Sequence, residues 1–350
     1  MARVAIIPGD GIGPDVMTEA VRLLEFIRRR DALDLELVHW DLGADRYLRD
    51  GVALSDDQFA ELEADYDAIL LGALGDPRVP DNAHMRDILL RLRFGLDLYL
   101  NHRPAYLPAP GLSPLAGMEG RPIRLDIVRE NTEGIYVNMG GRFKVGTPDE
   151  IAIHEDLNTR KGVERIVRAA FDVASRRGRN RVTMVDKANA MPAIGALWRS
   201  VFFEVGEAFP GITQDTMLVD AMAMDLVRRP EQYQVLVTSN LFGDILSDVA
   251  AIVTGGLGLA ASANLNPGRH AMFEPVHGSA PDIQGTGVAN PLATIRCAGL
   301  LMDFLGHHDQ AAEVESSVVD VIASGKTTPD LGGTATTTEV GAAVLAQVAG

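Results

Sequence analysis

Residues 4–30 read VAIIPGDGIGPDVMTEAVRLLEFIRRR, and the junction inside this stretch decides the fold class. The β-branched run Val4–Ile7 predicts a short buried strand. Pro14 pre-sets a first helical turn and Asp15 suits its positive end. Val16, Ala20, Leu23 and Ile27 then share one apolar face, and Arg28, Arg29 and Arg30 complement the negative end. A strand that runs straight into an amphipathic helix is the building unit of an α/β protein. Between the two, Gly9, Gly11 and Gly13 are spaced GxGxG and Pro14 follows at once. The dinucleotide fingerprint of a Rossmann fold needs GxGxxG, so it fails on spacing. The segment reads as a tight strand-to-helix turn, although its glycines would also let a ligand approach the backbone.

The same alternation continues outward through DAILLG (67–72), RLDIV (124–128), RVTMVD (181–186) and YQVLVTS (233–239). With 350 residues, 47% hydrophobic and 23% charged, the composition is that of a soluble globular protein, and the length predicts about two domains. The segment PAYLPAPGLSPLAGMEG (104–120) is too rich in Pro and Gly for a helix or central strand and is expected to be a loop or linker. The irregular stretch 140–159 contains EIAIHE, whose alternation suits an exposed strand that could pair with another chain.

Partners are bounded by charge and by cysteine usage. Thirty-two basic against 48 acidic residues give a net charge of -16, so no nucleic-acid partner is expected. No stretch approaches the roughly 18 apolar residues that cross a bilayer, and the first residues lack a leader pattern, so no membrane association and a cytoplasmic location are expected. Cys297 is the single cysteine. That excludes an intrachain disulfide and a thiolate zinc cluster, and it favours a reducing compartment with Cys297 as a small core hydrophobe.

Six segments carry candidate chemistry. In NLFGDILSD (240–248), Asp244 and Asp248 stand four apart on one helix face, where two carboxylates repel unless a cation lies between them. Oxygen ligands of this kind suit Mg²⁺ or Mn²⁺, though solvated aspartates on a first helical turn would also read this way. Asp220 in LVDAMAMD follows an apolar run and is a candidate third ligand. Arg91, Arg93 and Arg103 lie among leucines in LLRLRFGLDLYLNHRP, and Arg129 follows a buried-type strand in IVRENTEG. Singly, such arginines snorkel or pair with acids; together they make a fork for a substrate carboxylate or phosphate. Lys187 ends a strand in MVDKANA and reads either as an ion-pair partner, for example of Asp186, or as a base whose pKa is lowered by burial or a nearby cation. FEPVHGSAPDIQGTGVANP (273–291) holds His277, Gly278, Ser279, Asp282 and Asn290 in a long turn-rich loop suited to gripping a ligand. There Asp282 could accept both hydroxyls of a ribose and would repel a 2'-phosphate.

Taken in order, PGDGIGPD, LRLRF to NHRP, VRENTEG, DKAN, NLFGDILSD and FEPVHGSAPDI resemble the metal-dependent β-decarboxylating dehydrogenases, from about residue 3 to about residue 305. This family holds the isopropylmalate, isocitrate, homoisocitrate, and tartrate or D-malate dehydrogenases. The resemblance implies an isopropylmalate dehydrogenase-like two-domain α/β fold with a mixed central sheet, not a Rossmann fold. One discontinuous, cofactor-side domain would comprise residues 1–97 plus 251–350. The other, residues 98–250, would carry dimerisation and metal binding, include the Pro-rich loop, and extend an arm at about 140–159 that interlocks two subunits.

Carried over by position, Arg93, Arg103 and Arg129 would bind the carboxylates of a small-molecule malate derivative, with Leu89 and Leu90 facing its variable group. Asp220, Asp244 and Asp248 would hold Mg²⁺ or Mn²⁺. Lys187 would take the hydroxyl proton and Tyr136 would return a proton to carbon. Lys187 and Asp220 would come from the partner subunit of a homodimer. NAD would be held by His277, Gly278, Ser279, Ala280, Asp282, Asn290 and Asn189, since Asp282 and Ile283 stand where NADP-using members tend to carry Lys and Tyr.

Two leucines at 89 and 90 favour an isopropyl substituent over the extra carboxylate of isocitrate or homoisocitrate. GALGDPRVP, LLRLRF and KVGTPDE look like the leucine-pathway branch. VRENTEG, SANLNP and the Gly140–Arg142 segment have a tartrate or D-malate flavour, so that activity stands second, with a related malate derivative of another pathway also open. A non-catalytic regulatory subunit is disfavoured because Lys187, Tyr136 and the aspartates are all present. A mere anion-binding module leaves those aspartates unexplained.

Overall fold

The computed structural model describes all 350 residues. Its strands, in chain order, are β1 (Ala2–Ile7), β2 (Leu35–His39), β3 (Ala68–Leu71), β4 (Leu100–Tyr106), β5 (Arg124–Glu130), β6 (Gly140–Phe143), β7 (Ile151–His154), β8 (Arg181–Asp186), β9 (Thr213–Leu218), β10 (Val235–Thr238), β11 (Ala261–Asn266) and β12 (His270–Pro275). The chain divides into two compact units. One comprises Met1–Leu98, Tyr106–Pro122 and Ala251–Gly350, and the other Tyr99–Ala105 and Ile123–Ala250.

In the first unit the strand order is β2-β1-β3-β12-β11. β1 runs parallel to β2 and β3, β12 runs parallel to β3, and β11 pairs antiparallel with β12, so the sheet is mixed. Successive side chains of a strand point to opposite faces. Val4 and Ile6 accordingly join an apolar core with Leu24, Ile27, Phe273 and Ile295, while Ala5 and Ile7 join another with Ile69, Leu71, Ile88 and Leu92. A strand covered on both sides is continuously apolar, which is why VAII does not alternate. The helix Gly13–Arg30 buries Val16, Ala20, Leu23 and Ile27, the face its spacing predicts.

The turn between them is a packing device. Gly11 adopts φ +57, and a Cβ there would sit 2.0 Å from the Ser279 carbonyl oxygen. Ile12 N donates to that same oxygen at 2.8 Å. The turn thus binds another loop of its own unit. One expectation needs correction: the Pro-rich segment, expected in the second domain, belongs to the first unit from Tyr106 onward. Ala109 and Leu112 pack against the first unit's core, and that contact overrides sequence proximity.

The second unit has strand order β4-β5-β10-β8-β9, with β5, β10, β8 and β9 parallel in successive pairs. The helix Arg160–Arg176 starts at Thr159, whose side chain accepts from Gly162 N. It buries Phe171, which stacks on Phe202 and Phe209 at ring-centroid distances of 5.5 and 5.0 Å. β6 and β7 form a separate antiparallel hairpin whose eight residues are all exposed, among them Phe143, Ile151 and Ile153. A lone two-stranded hairpin is marginal in water, so this one wants a covering surface.

Elsewhere the burial explains single residues. Cys297 is fully buried, which pushes its thiol up to about 12 and leaves it a core hydrophobe. No helix is long and apolar enough to cross a membrane. The aromatic stack gives a direct test of the second unit's core. Phe171→Ala is expected to cost about 3–5 kcal/mol of unfolding free energy, the usual cost of deleting a buried ring, read from a denaturant titration.

Candidate active site

The second unit gathers its chemistry where β5 and β10 end and the helix Asn240–Val253 begins. Arg129, the next-to-last residue of β5, is 1% exposed. A buried guanidinium must be satisfied by partners. Its Nε and Nη2 donate to Asn240 Oδ1 at 3.0 and 2.7 Å, and its Nη1 is ion-paired with Asp244. Gly243 makes room for this arrangement, since a Cβ there would lie 2.5 Å from Arg129 Cγ. Tyr136 donates its hydroxyl to Asp244 Oδ2 at 2.8 Å, and the Arg129 guanidinium sits 5.3 Å from the Tyr136 ring centre.

Arg103 on β4 faces the same helix. Its Nη1 donates to Ser247 Oγ at 2.7 Å, and its guanidinium lies 3.7 Å from Asp244 and 3.6 Å from Asp248. Both aspartates remain partly open to solvent. Burial, reinforced by Asp244 and opposed by Arg103, pushes the Asp248 carboxyl above its ordinary value. Two arginines, a tyrosine hydroxyl and two carboxylates one helical turn apart therefore converge within one unit. Within one chain no three His, Cys, Asp or Glu side chains gather closely enough to hold a metal ion.

Lys187 and Asp220 form a second group in the same unit. Lys187 Nζ donates to Asp220 Oδ1 at 2.5 Å, and this hydrogen bond holds the Asp220 carboxyl below its usual range. Asp186 is not the partner of Lys187: it accepts from Arg199 Nε at 2.7 Å. Asn189 is exposed just beyond.

The first unit holds the other expected residues. Arg93 is 7% exposed and donates through Nη2 to Glu274 Oε1 at 2.6 Å, while Asn264 donates to the same oxygen at 2.9 Å. Arg93 Nε is buried with no partner in the chain, a donor left over for an anion. Leu89 rests against the unit's core and Leu90 is half-buried beside it. In the loop after β12, the His277 ring is turned so that Nδ1 meets the Gly278 carbonyl at 3.0 Å, and its Nε2 is buried without a partner. Burial also lowers the pKa of His277. Ser279 and Ala280 are half-buried, with Ala280 at φ +38, and Gly278 and Asp282 are exposed. The Asn290 amide donates to Asp330 at 2.9 Å and its oxygen accepts from Leu292 N, which ties it to the surrounding loop.

The residues that sequence reasoning passes over are partners. Asn240 and Ser247 lie in the very string that names the aspartates, and Glu274 lies in the string that names His277. A neutral or acidic side chain of this kind announces nothing until the arginine it serves is placed. Glu130 is another: 2% exposed, it accepts from Thr132 N and Glu133 N and so shapes the turn that leads to Tyr136. Its burial raises its pKa.

Comparison with known proteins fits this arrangement. Residues 3–344 match the family model described as isocitrate/isopropylmalate dehydrogenase. The chain belongs to this family and is one of its decarboxylating dehydrogenases. It is 45% identical over 349 residues to a 3-isopropylmalate dehydrogenase of Thermobifida fusca, covering 99% of this chain and 98% of that one. It is 48% identical over 323 residues to a 3-isopropylmalate dehydrogenase of Frankia casuarinae, covering 92% of each. Among solved structures, an isocitrate dehydrogenase from Methylococcus capsulatus superposes with a TM-score of 0.89 at 37% identity, covering 99% of both chains.

The arginine cluster makes Asn240 testable. Asn240→Ala removes the acceptor of two Arg129 N–H bonds in a buried place and is expected to cost about 1–3 kcal/mol of stability. Because Arg129 loses its orientation, turnover should fall as well. Thermal unfolding and steady-state kinetics on the same preparation check both.

Proposed function

We propose that the chain catalyses NAD-dependent oxidative decarboxylation of a 3-substituted (2R)-malate, with 3-isopropylmalate converted to 4-methyl-2-oxopentanoate and CO₂ in leucine biosynthesis. The observation that carries this reading is the convergence of Arg103, Arg129, Tyr136, Asp244 and Asp248 in one unit. It agrees with the names borne by the curated relatives. The lone buried thiol suits the cytoplasm.

The donor set fits a hard divalent cation. Asp244 and Asp248 present carboxylates one turn apart on one helix face, both partly open to solvent, as hard oxygen ligands for a divalent cation would be. Asp220 is the proposed third ligand, contributed with Lys187 by a second copy, because within one chain the carboxylates do not gather into a metal-sized group. The exposed β6–β7 hairpin is the proposed arm of that homodimer. NAD is assigned to His277, Gly278, Ser279, Ala280, Asp282, Asn290 and Asn189, and the orphaned Nε2 of His277 is a polar atom for it to satisfy. When bound, NAD would accept the hydride from C2 while Mg²⁺ or Mn²⁺ would acidify the hydroxyl and stabilise the enolate.

The chain's own residues do the rest. Arg93, Arg103 and Arg129 bind the two carboxylates without titrating. Lys187 Nζ takes the C2 hydroxyl proton as the hydride leaves, and the Asp220 carboxylate orients that nitrogen. The bond from C3 to its carboxylate then breaks, CO₂ departs, and Tyr136 Oη delivers a proton to C3. Leu89 and Leu90 form the wall against the isopropyl group, where a carboxylate would be stranded. A tartrate or D-malate activity is the second reading, favoured by the VRENTEG string.

Two experiments test this. Turnover on 3-isopropylmalate, D-malate, tartrate and isocitrate is measured with NAD and Mn²⁺. The first is expected to lead, and a D-malate rate well above it overturns the ranking. Lys187→Met and Asp244→Asn should each abolish turnover and leave a folded dimer. Co-refolded in equal amounts, they should regain about a quarter of wild-type activity, because half the dimers are hybrids with one intact shared site of two. No recovery sinks the shared site.

A further inference from the structure

His84 is 0% exposed, and its Nε2 meets Asp10 Oδ2 at 2.8 Å. Asp10, 6% exposed, is the middle residue of the glycine turn and accepts two further bonds, from Ala44 N at 2.6 Å and Gly75 N at 2.8 Å. A carboxylate offers only acceptors, so the Nε2 proton of His84 points to Asp10. His84 leads directly into the segment bearing Leu89, Leu90 and Arg93. That segment is built from three consecutive helical pieces, Ala83–Met85, Arg86–Leu90 and Arg91–Gly95, the middle one a wide π turn.

The segment is poorly held at its start. Asp81 and Asn82, at φ +53 and +49, bring the chain in through two left-handed residues, and no side chain caps the first turn. A π turn is less stable than a regular helix. The segment is attached through His84 to Asp10, through Ile88, Leu89 and Leu92 to the core, through Arg91 to the Leu54 carbonyl and to Asp56, and through Arg93 to Glu274. Of its side-chain hydrogen bonds and ion pairs, the Asp10–His84 bond is the one on the amino-terminal side of Leu89 and Leu90. The glycine turn that carries Asp10 is itself clamped, through Asp10 N to Ala73 O at 2.7 Å and Ile12 N to Ser279 O at 2.8 Å.

We propose that the Asp10–His84 pair is a positioning device for substrate specificity, fixing the wall of Leu89 and Leu90 that meets the variable group of the malate. The inference rests on the assignment of those leucines to that wall. Neither Asp10 nor His84 touches the reacting atoms. Their effect is on where the wall stands, so a loosened wall should harm the bulky substrate and spare the small one.

The test measures kcat and KM for 3-isopropylmalate and D-malate in the wild type, His84→Leu and His84→Gln, with thermal unfolding on each. His84→Leu is expected to lower the ratio of kcat/KM for the branched over the unbranched substrate about tenfold, the scale of one apolar contact. The loss should fall on KM for 3-isopropylmalate, with kcat on D-malate within about twofold, the signature of lost binding as opposed to lost chemistry. His84→Gln keeps an amide N–H toward Asp10 and should restore most of the ratio. Equal losses on both substrates, or an unchanged ratio despite a lowered unfolding temperature, overturn the proposal and leave the pair a fold element. If His84→Leu does not fold, His84→Met, with an unbranched apolar chain, is read by the same criteria. A wild type that prefers D-malate refutes the proposed substrate alone, since the positioning role is read from the change in ratio on mutation.

Discussion

A guanidinium buried at the end of a central strand is the constraint around which the catalytic unit is arranged. Arg129 cannot be left without partners, and its surroundings show how its charge and donors are met. Asn240 takes two of its hydrogen bonds and Asp244 takes the charge, and Gly243 withholds a side chain so that the helix can pass close to the arginine's stem. The first turns of one helix are thereby shaped to a residue more than a hundred positions earlier. Asp244, pinned by Arg129 and Tyr136, in turn fixes the register of Asp248 one turn on. The result is a fixed pair of carboxylates facing two guanidinium groups, the pre-organisation that the proposed site would require.

In this cluster Arg103 and Arg129 face Asp244 and Asp248, and burial raises the Asp248 pKa. Lys187 and Asp220 form a second group in the same unit, the lysine donating to the carboxylate. The exposed hairpin leaves Phe143, Ile151 and Ile153 open to solvent, a surface of the kind through which strand edges pair.

Much of the architecture is readable in the sequence because it is local. VAII predicts a strand covered on both faces, and the 3.6-residue spacing after Pro14 predicts which face of the first helix is buried. The spacing of Asp244 and Asp248 places them on one side of a helix without further information. What is not readable is pairing over distance. Glu274 lies 181 positions from Arg93, and His84 lies 74 from Asp10. No periodicity links such residues, and an isolated His or Glu has many ordinary uses. Lys187 illustrates the error this invites: adjacent Asp186 is the obvious partner by sequence, yet strand alternation turns it to Arg199. Sequence neighbourhood likewise places the Pro-rich stretch with the second unit, but two apolar side chains, Ala109 and Leu112, tie it to the first.

The glycine turn shows why a failed motif still carries physical information. GDGIG lacks the spacing that would bring a helix end to a pyrophosphate, and its glycines serve chain-to-chain contact, with the Ser279 carbonyl lying where a Gly11 side chain would be. The one side chain in the turn's centre long enough to reach outward is Asp10, and it reaches three separate segments. Discrimination between substrates that differ by a few methyl groups depends on contacts worth only about 1–3 kcal/mol each. A wall that drifts by a fraction of its contact distance forfeits much of that. On the proposed assignment of Leu89 and Leu90 to the substrate wall, leucines on a π turn would discriminate only as well as their anchors hold, and selectivity would be a property of the turn and its histidine as much as of the leucines themselves.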